Sequence, residues 1–92
     1  MKETRTINLN GLVYHIDYDA YQLLRDYLQD IEMRLPIEDR KEIIGDIEAR
    51  IAELFQKALF AQNTQVINIQ LVQSIQKQIG EPSEFGPNRR PK

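Results

Sequence analysis

The stretch Thr6-Ile7-Asn8-Leu9-Asn10-Gly11-Leu12-Val13-Tyr14-His15-Ile16 decides the fold class. Two runs of alternating character flank Asn10-Gly11, the dipeptide favoured in a type I′ turn because both central positions need positive φ. Closed as a two-residue loop, the hairpin pairs Leu9 with Leu12 and Ile7 with Tyr14, and sets Arg5 opposite Ile16. Paired residues share a face, so Ile7, Leu9, Leu12, Tyr14 and Ile16 form one apolar side. Thr6, Asn8, Val13 and His15 form the other side, which is mostly wet.

The rest of the chain supplies a cover for the apolar side. From about Tyr18 to Leu35 the residues Ala20, Leu23, Leu24, Tyr27, Leu28, Ile31 and Leu35 recur at the spacing of one helical stripe. Asp17 or Asp19 is placed to cap this helix, and Pro36 ends it, because the residue before a proline disfavours helical angles. A second helix runs from about Glu38 to Ala61, with Ile43, Ile44, Ile47, Ile51, Leu54, Phe55 and Ala58 on one face. Gly45 inside it costs about 1 kcal/mol relative to alanine, and close packing of another helix is the expected reason for it. Gln62-Asn63-Thr64 breaks the helix, and the β-branched pair Val66-Ile67 reads as a third strand beside the hairpin. Asn68 then caps a last helix, Ile69 to Ile79, with Leu71, Val72, Ile75 and Ile79 inward. Gly80 suits a left-handed helix end and Pro82 cannot continue the helix. The expectation is an α+β domain over residues 1–86 in the order β-β-α-α-β-α. A small hairpin-based sheet of two to three strands packs against three helices.

Composition narrows the functions. Ninety-two residues, 41% hydrophobic and 28% charged, are enough for a single core and for one domain. Cysteine is absent, which removes disulfides, thiolate metal sites and a cysteine nucleophile. No apolar run reaches the ~18–20 residues that span a bilayer, and the N-terminus lacks the pattern of a signal peptide. Between Asp17 and Glu53 stand eleven acidic side chains against five basic ones, a local balance of −6. Such a body repels phosphate backbones, so no direct nucleic-acid binding by the folded part is expected. Arg89, Arg90 and Lys92 add +3 at the end, and with Pro87 and Pro91 they read as a basic disordered tail or linker start over 87–92.

Residues that could carry chemistry are few. His15 is the one histidine, on the polar side of a strand with no second nitrogen or sulfur ligand near it in sequence. Asp39, Glu42, Asp46 and Glu53 recur at helical spacing and could face a cation or act as an acid/base pair. The alternative reading is therefore a small metal-dependent or acid/base enzyme using Glu42, Asp46 and His15. Against it, Asp46 has Arg50 four residues on, the spacing of a solvated ion pair. There is no Ser-His-acid set and no phosphate-cradling glycine loop. No catalytic, cofactor-binding or metal-binding residue is expected, and no cofactor. Tyr14 and Tyr27 fall on apolar faces as core. Tyr18 and Tyr21 lie at the edge of the first helix's stripe, and with Val13 and His15 they are the candidate interaction surface.

Several pieces together resemble the N-terminal soluble region that precedes the membrane segment in phage-shock-protein C (PspC) domain proteins. They are Thr6 to Gly11, Tyr14 to Asp17, Ala20-Tyr21, Leu24, Tyr27-Leu28, Asp46-Ile47-Glu48-Ala49-Arg50-Ile51-Ala52-Glu53-Leu54-Phe55, and Gly80-Glu81-Pro82-Ser83-Glu84-Phe85. The second half also resembles the HAAS signalling domain, whose helical pair ends in a Gly-acid-Pro turn and which accompanies PadR-type regulators. The glycine-rich membrane-spanning PspC segment is absent from these residues. The resemblance implies a non-enzymatic, bacterial, cytoplasmic regulatory module in stress-responsive transcription regulation. Its expected partner is a protein, either a transcriptional regulator or a membrane-anchored PspC segment, with no membrane insertion by this chain. The unpaired edges of so small a sheet also suggest homodimerisation through the hairpin region.

Overall fold

The hairpin forms as its turn dipeptide demands. In the computed structural model, which describes residues 3–85, β1 (Thr4–Leu9) and β2 (Leu12–Asp17) pair antiparallel with Leu9 opposite Leu12 and Ile7 opposite Tyr14. Asn10 and Gly11 have φ of 53° and 80°, the signature of a type I′ turn. Asn8 Oδ1 accepts the Gly11 N–H at 3.1 Å and closes the loop from the side. The expected tail at 87–92 lies outside the described residues.

After β2 come α1 (Tyr18–Arg34), α2 (Ile37–Gln62), β3 (Val66–Ile67) and α3 (Ile69–Ile79), then a single 3-10 turn at Pro82–Phe85. The order is β-β-α-α-β-α, an α+β fold as read from the chain. β3 pairs with β2 in parallel, His15 opposite Val66 and Ile16 opposite Ile67, so the sheet runs β1-β2-β3 with β2 in the centre. A parallel neighbour requires a long crossover, and here α1 and α2 together make it.

The core lies between the sheet's apolar side and the helices. Ile16, Ile31, Ile51, Phe55, Ile67, Val72 and Ile75 are its most enclosed members, with Leu24, Tyr27, Leu35 and Leu71 around them. Tyr14 is pinned twice. Its hydroxyl donates to the Ala52 carbonyl at 3.1 Å, and its ring meets Phe55 edge-on at 5.5 Å. Burial pushes the Tyr14 hydroxyl's pKa up, partly offset by a hydrogen bond with Gln56. Ala52 is buried beside Ile51, so the face α2 covers is wider than its aliphatic stripe.

Helix ends explain where each element stops. Asn68 Oδ1 accepts the Leu71 N–H at 2.8 Å, the N-cap expected of it. Asn63 closes α2 in the left-handed region at φ 52°, ψ 48°. Gly80 ends α3 at φ 120°, ψ 164°, a glycine-only conformation farther out than the left-handed cap anticipated from sequence.

Four local expectations are corrected. Asp17 occupies the N-cap position of α1, but its side chain does not cap the helix. Instead Asp19 Oδ1 accepts the Ala20 N–H at 2.8 Å, and the Tyr18 N–H donates to Glu3 O at 2.9 Å. Gly45 does not serve close packing, since an added Cβ would meet nothing within 4 Å. Arg50 pairs with Glu53 at 3.6 Å rather than with Asp46, because the three-residue step brings those two side chains together on the wet face. Leu12, assigned to the apolar side, is 41% exposed because it sits beside the turn, at the end of the hairpin.

Candidate interaction surface

The four residues proposed from sequence fall in two places. Val13 and His15 lie on the outer face of β2, both exposed, with His15 Nδ1 3.5 Å from Thr6 Oγ1 across the strand pair. Tyr18 and Tyr21 lie one turn apart on α1, half-buried, with their rings stacked at 6.4 Å and an interplanar angle of 16°. By strand alternation Arg5, Ile7 and Leu9 share the side of the sheet that meets the helices. The Arg5 guanidinium carbon stands 4.8 Å from the Tyr18 ring centre and 5.5 Å from that of Tyr21. Arg25 approaches the Tyr21 ring at 5.8 Å. The tyrosines are therefore held by two cations on the helix side of the hairpin, while Val13 and His15 look the other way.

Next to the tyrosines, a groove of about 180 Å³ runs between β1 and α1, lined by Ile7, Leu9, Tyr21, Leu24, Arg25 and Leu28. The pattern of alternation could have flagged Arg5. It occupies a position of core-facing parity at the open end of the strand, where a long stem can lie along apolar surface while the charge stays wet.

Two large side chains escaped the sequence reading. Phe60 is 91% exposed near the end of α2, and Ile37 is 77% exposed at its start. Phe60 lies about 140° around the helix from Phe55, off the buried stripe, and that offset was the available signal.

Midway along α1, Tyr27 donates its hydroxyl to the Gly80 carbonyl. Burial, with the Glu81 and Glu84 carboxylates nearby, pushes its pKa up to about 12. The Glu81 N–H donates to Glu84 Oε2 at 2.6 Å, so the Gly80 turn is tied down from both sides.

The residues of the enzyme alternative are not brought together. His15 is on the outer sheet face, whereas Asp46 lines a shallow cleft with Ile43, Ile47 and Ile79. Among the described residues no group of three or more His, Asp or Glu side chains is placed to share a cation. Among them, too, no helix is long and apolar enough to cross a membrane. The chain matches no protein-family model, and no curated protein or solved structure shows significant similarity to it.

Proposed function

We propose that this domain is a non-enzymatic regulatory module that works by binding another protein, in bacterial cytoplasmic control of stress-responsive transcription. The observation that carries the binding role is Phe60, 91% exposed on a domain whose other phenylalanine within the described core, Phe55, is fully enclosed. An aromatic ring left in water adds nothing to the core, whereas buried aromatics are the usual anchors of interfaces. Ile37, Val13 and Leu12 are further apolar side chains on the surface. Support for the regulatory setting comes from the resemblance of residues 4–85 to the region preceding the PspC membrane segment. On that reading the partner is a transcriptional regulator or a PspC segment held in the membrane.

The test is site-specific photo-crosslinking in cells, with benzoylphenylalanine at position 60, at position 13, and at the exposed Gln70 as control. The expected outcome is one dominant adduct from position 60 or 13, identified by mass as a regulator or PspC protein and absent from position 70. Phe60→Glu should lower capture of that protein at least tenfold without altering the thermal melt. Equal adducts from all three positions, or capture unaffected by Phe60→Glu, would remove the basis of the reading.

A further inference from the structure

The sheet ends at β1, whose outer edge has no neighbouring strand among the described residues. A two-residue turn makes Leu9–Leu12 a hydrogen-bonded pair, and alternation from there turns the N–H and C=O groups of Thr4, Thr6 and Asn8 outward. This edge runs alongside the groove between β1 and α1. A strand added to β1 would share its pleat, so the residue opposite Ile7 would point to the helix side, into that groove. Side chains two positions away on either hand would fall towards Arg5 and towards Leu9.

We propose that β1 accepts an extended acidic peptide as a fourth strand, with one apolar side chain in the groove and carboxylates two residues away meeting Arg5 and Arg25. The proposal deepens the interaction-module reading and rests on it. Charge selects the ligand. Although residues 17–53 carry a balance of −6, the charged side chain lining the groove is Arg25, and Arg5 meets the ring of Tyr21, which lines the groove too. Asp26 reaches Arg25 at 3.6 Å, but both side chains are about half exposed or more, and such surface pairs are weak enough for an incoming carboxylate to displace. Stacking on Tyr18 and Tyr21 orients the Arg5 guanidinium before any ligand arrives, which reduces the entropy lost on binding. Main-chain bonds along the edge would supply affinity, and the groove with its arginines the selectivity. A second copy is the poorer occupant. Thr4–Leu9 contains no carboxylate, and a two-fold pairing of β1 with itself would bring two Arg5 side chains to one seam.

The experiment is an amide-correlation NMR titration of the full chain with the peptide Glu-Thr-Leu-Thr-Glu, capped at both ends. Lys-Thr-Leu-Thr-Lys is the control. Saturable shifts confined to β1 and the facing side of α1 are expected with the acidic peptide and absent with the basic one. Arg5→Glu should weaken binding at least tenfold. Thr6→Pro, which removes an outward N–H without breaking a main-chain bond to β2, should abolish it. If Thr6→Pro loses its dispersed spectrum, the Arg5→Glu comparison and the basic peptide still decide. No shift at millimolar peptide overturns the proposal, as do equal shifts with both peptides. So does a doubled mass in light scattering that Thr6→Pro returns to monomer, since a second copy would then own the edge. Crosslinking at position 60 that persists while the peptide fails would leave the module reading standing and this one fallen.

Discussion

Replacing Gly80 with alanine should destabilise the domain far more than a surface substitution normally does. At φ 120° and ψ 164° the residue sits in a region that is essentially restricted to glycine, and holding another residue there costs about 1–3 kcal/mol. The new methyl group would also collide with the Glu84 carboxylate. That side chain can swing away, but doing so gives up its 2.6 Å bond from the Glu81 N–H, worth about 1 kcal/mol. Together the loss is roughly 2–4 kcal/mol, a large part of the 5–15 kcal/mol that keeps a domain folded. For a chain of this size it corresponds to a fall in Tm on the order of 10–20 °C. Urea unfolding followed by circular dichroism measures it, as a lower midpoint at unchanged slope. Glu84→Ala separates the two contributions. In that background Gly80→Ala should cost less by the share due to the collision, leaving the backbone strain alone. A loss under about 0.5 kcal/mol, the range of ordinary surface changes, would refute the assignment of strain to this turn.

Ile51→Ala should cost about 2–5 kcal/mol, because the side chain is fully enclosed between the hairpin and the helices; chemical denaturation reads it directly, and near-native stability would show that α2 does not form the core. Gly45→Ala should stabilise by about 0.5–1 kcal/mol, since the added methyl group meets nothing, and a lower Tm would mean that the residue needs its freedom. Tyr27 has a folded pKa pushed up to about 12 from the ordinary 10.0, so the folded state holds its phenolic proton more tightly than the unfolded chain does. Its contribution to stability is therefore complete below pH 10 and declines as pH rises from 10 towards 12. Tyr27→Phe should flatten that decline in denaturation measured across the same range, and an unchanged slope would place the titration elsewhere.

Several elements were legible because their signals are local. Asn10-Gly11 can make a mirror-image turn that few other pairs adopt, and that single fact sets the register of the whole hairpin. Asn68 announces α3 because its side chain reaches an N–H only three residues on. The helical stripes predicted Ile31, Ile51, Phe55 and Ile75 as core because period alone identifies the face that is covered. What period leaves open is how far along the element the cover reaches. Leu12 has the right parity but lies at the hairpin's end, where it is 41% exposed. Gly45 resists reading for a related reason: a missing side chain can mean a close neighbour or none, and sequence spacing is the same in both cases. Asp46 and Arg50 stand at a permissive spacing, yet Glu53 competes for the same guanidinium at an equally permissive one.

The candidate surface was partly legible, and its division has a geometric cause. Val13, His15, Tyr18 and Tyr21 are near one another in sequence, but β2 turns alternate residues to opposite sides and α1 begins immediately after it. The tyrosines consequently land on the helix side with Arg5, a residue that only the pairing with Ile16 brings there. Phe60 stands apart for a different reason. α2 has 26 residues, against 17 in α1 and 11 in α3, so neither neighbour can cover it from end to end. At ~1.5 Å per residue it spans about 39 Å, close to the 43 Å long dimension of the molecule. Beyond Leu59 its residues are exposed, and an aromatic ring placed there, off the buried stripe, gains nothing from the fold that carries it. The proposed binding role draws on that exposure. That physical asymmetry, rather than any reactive group, is what makes binding the reading to test first.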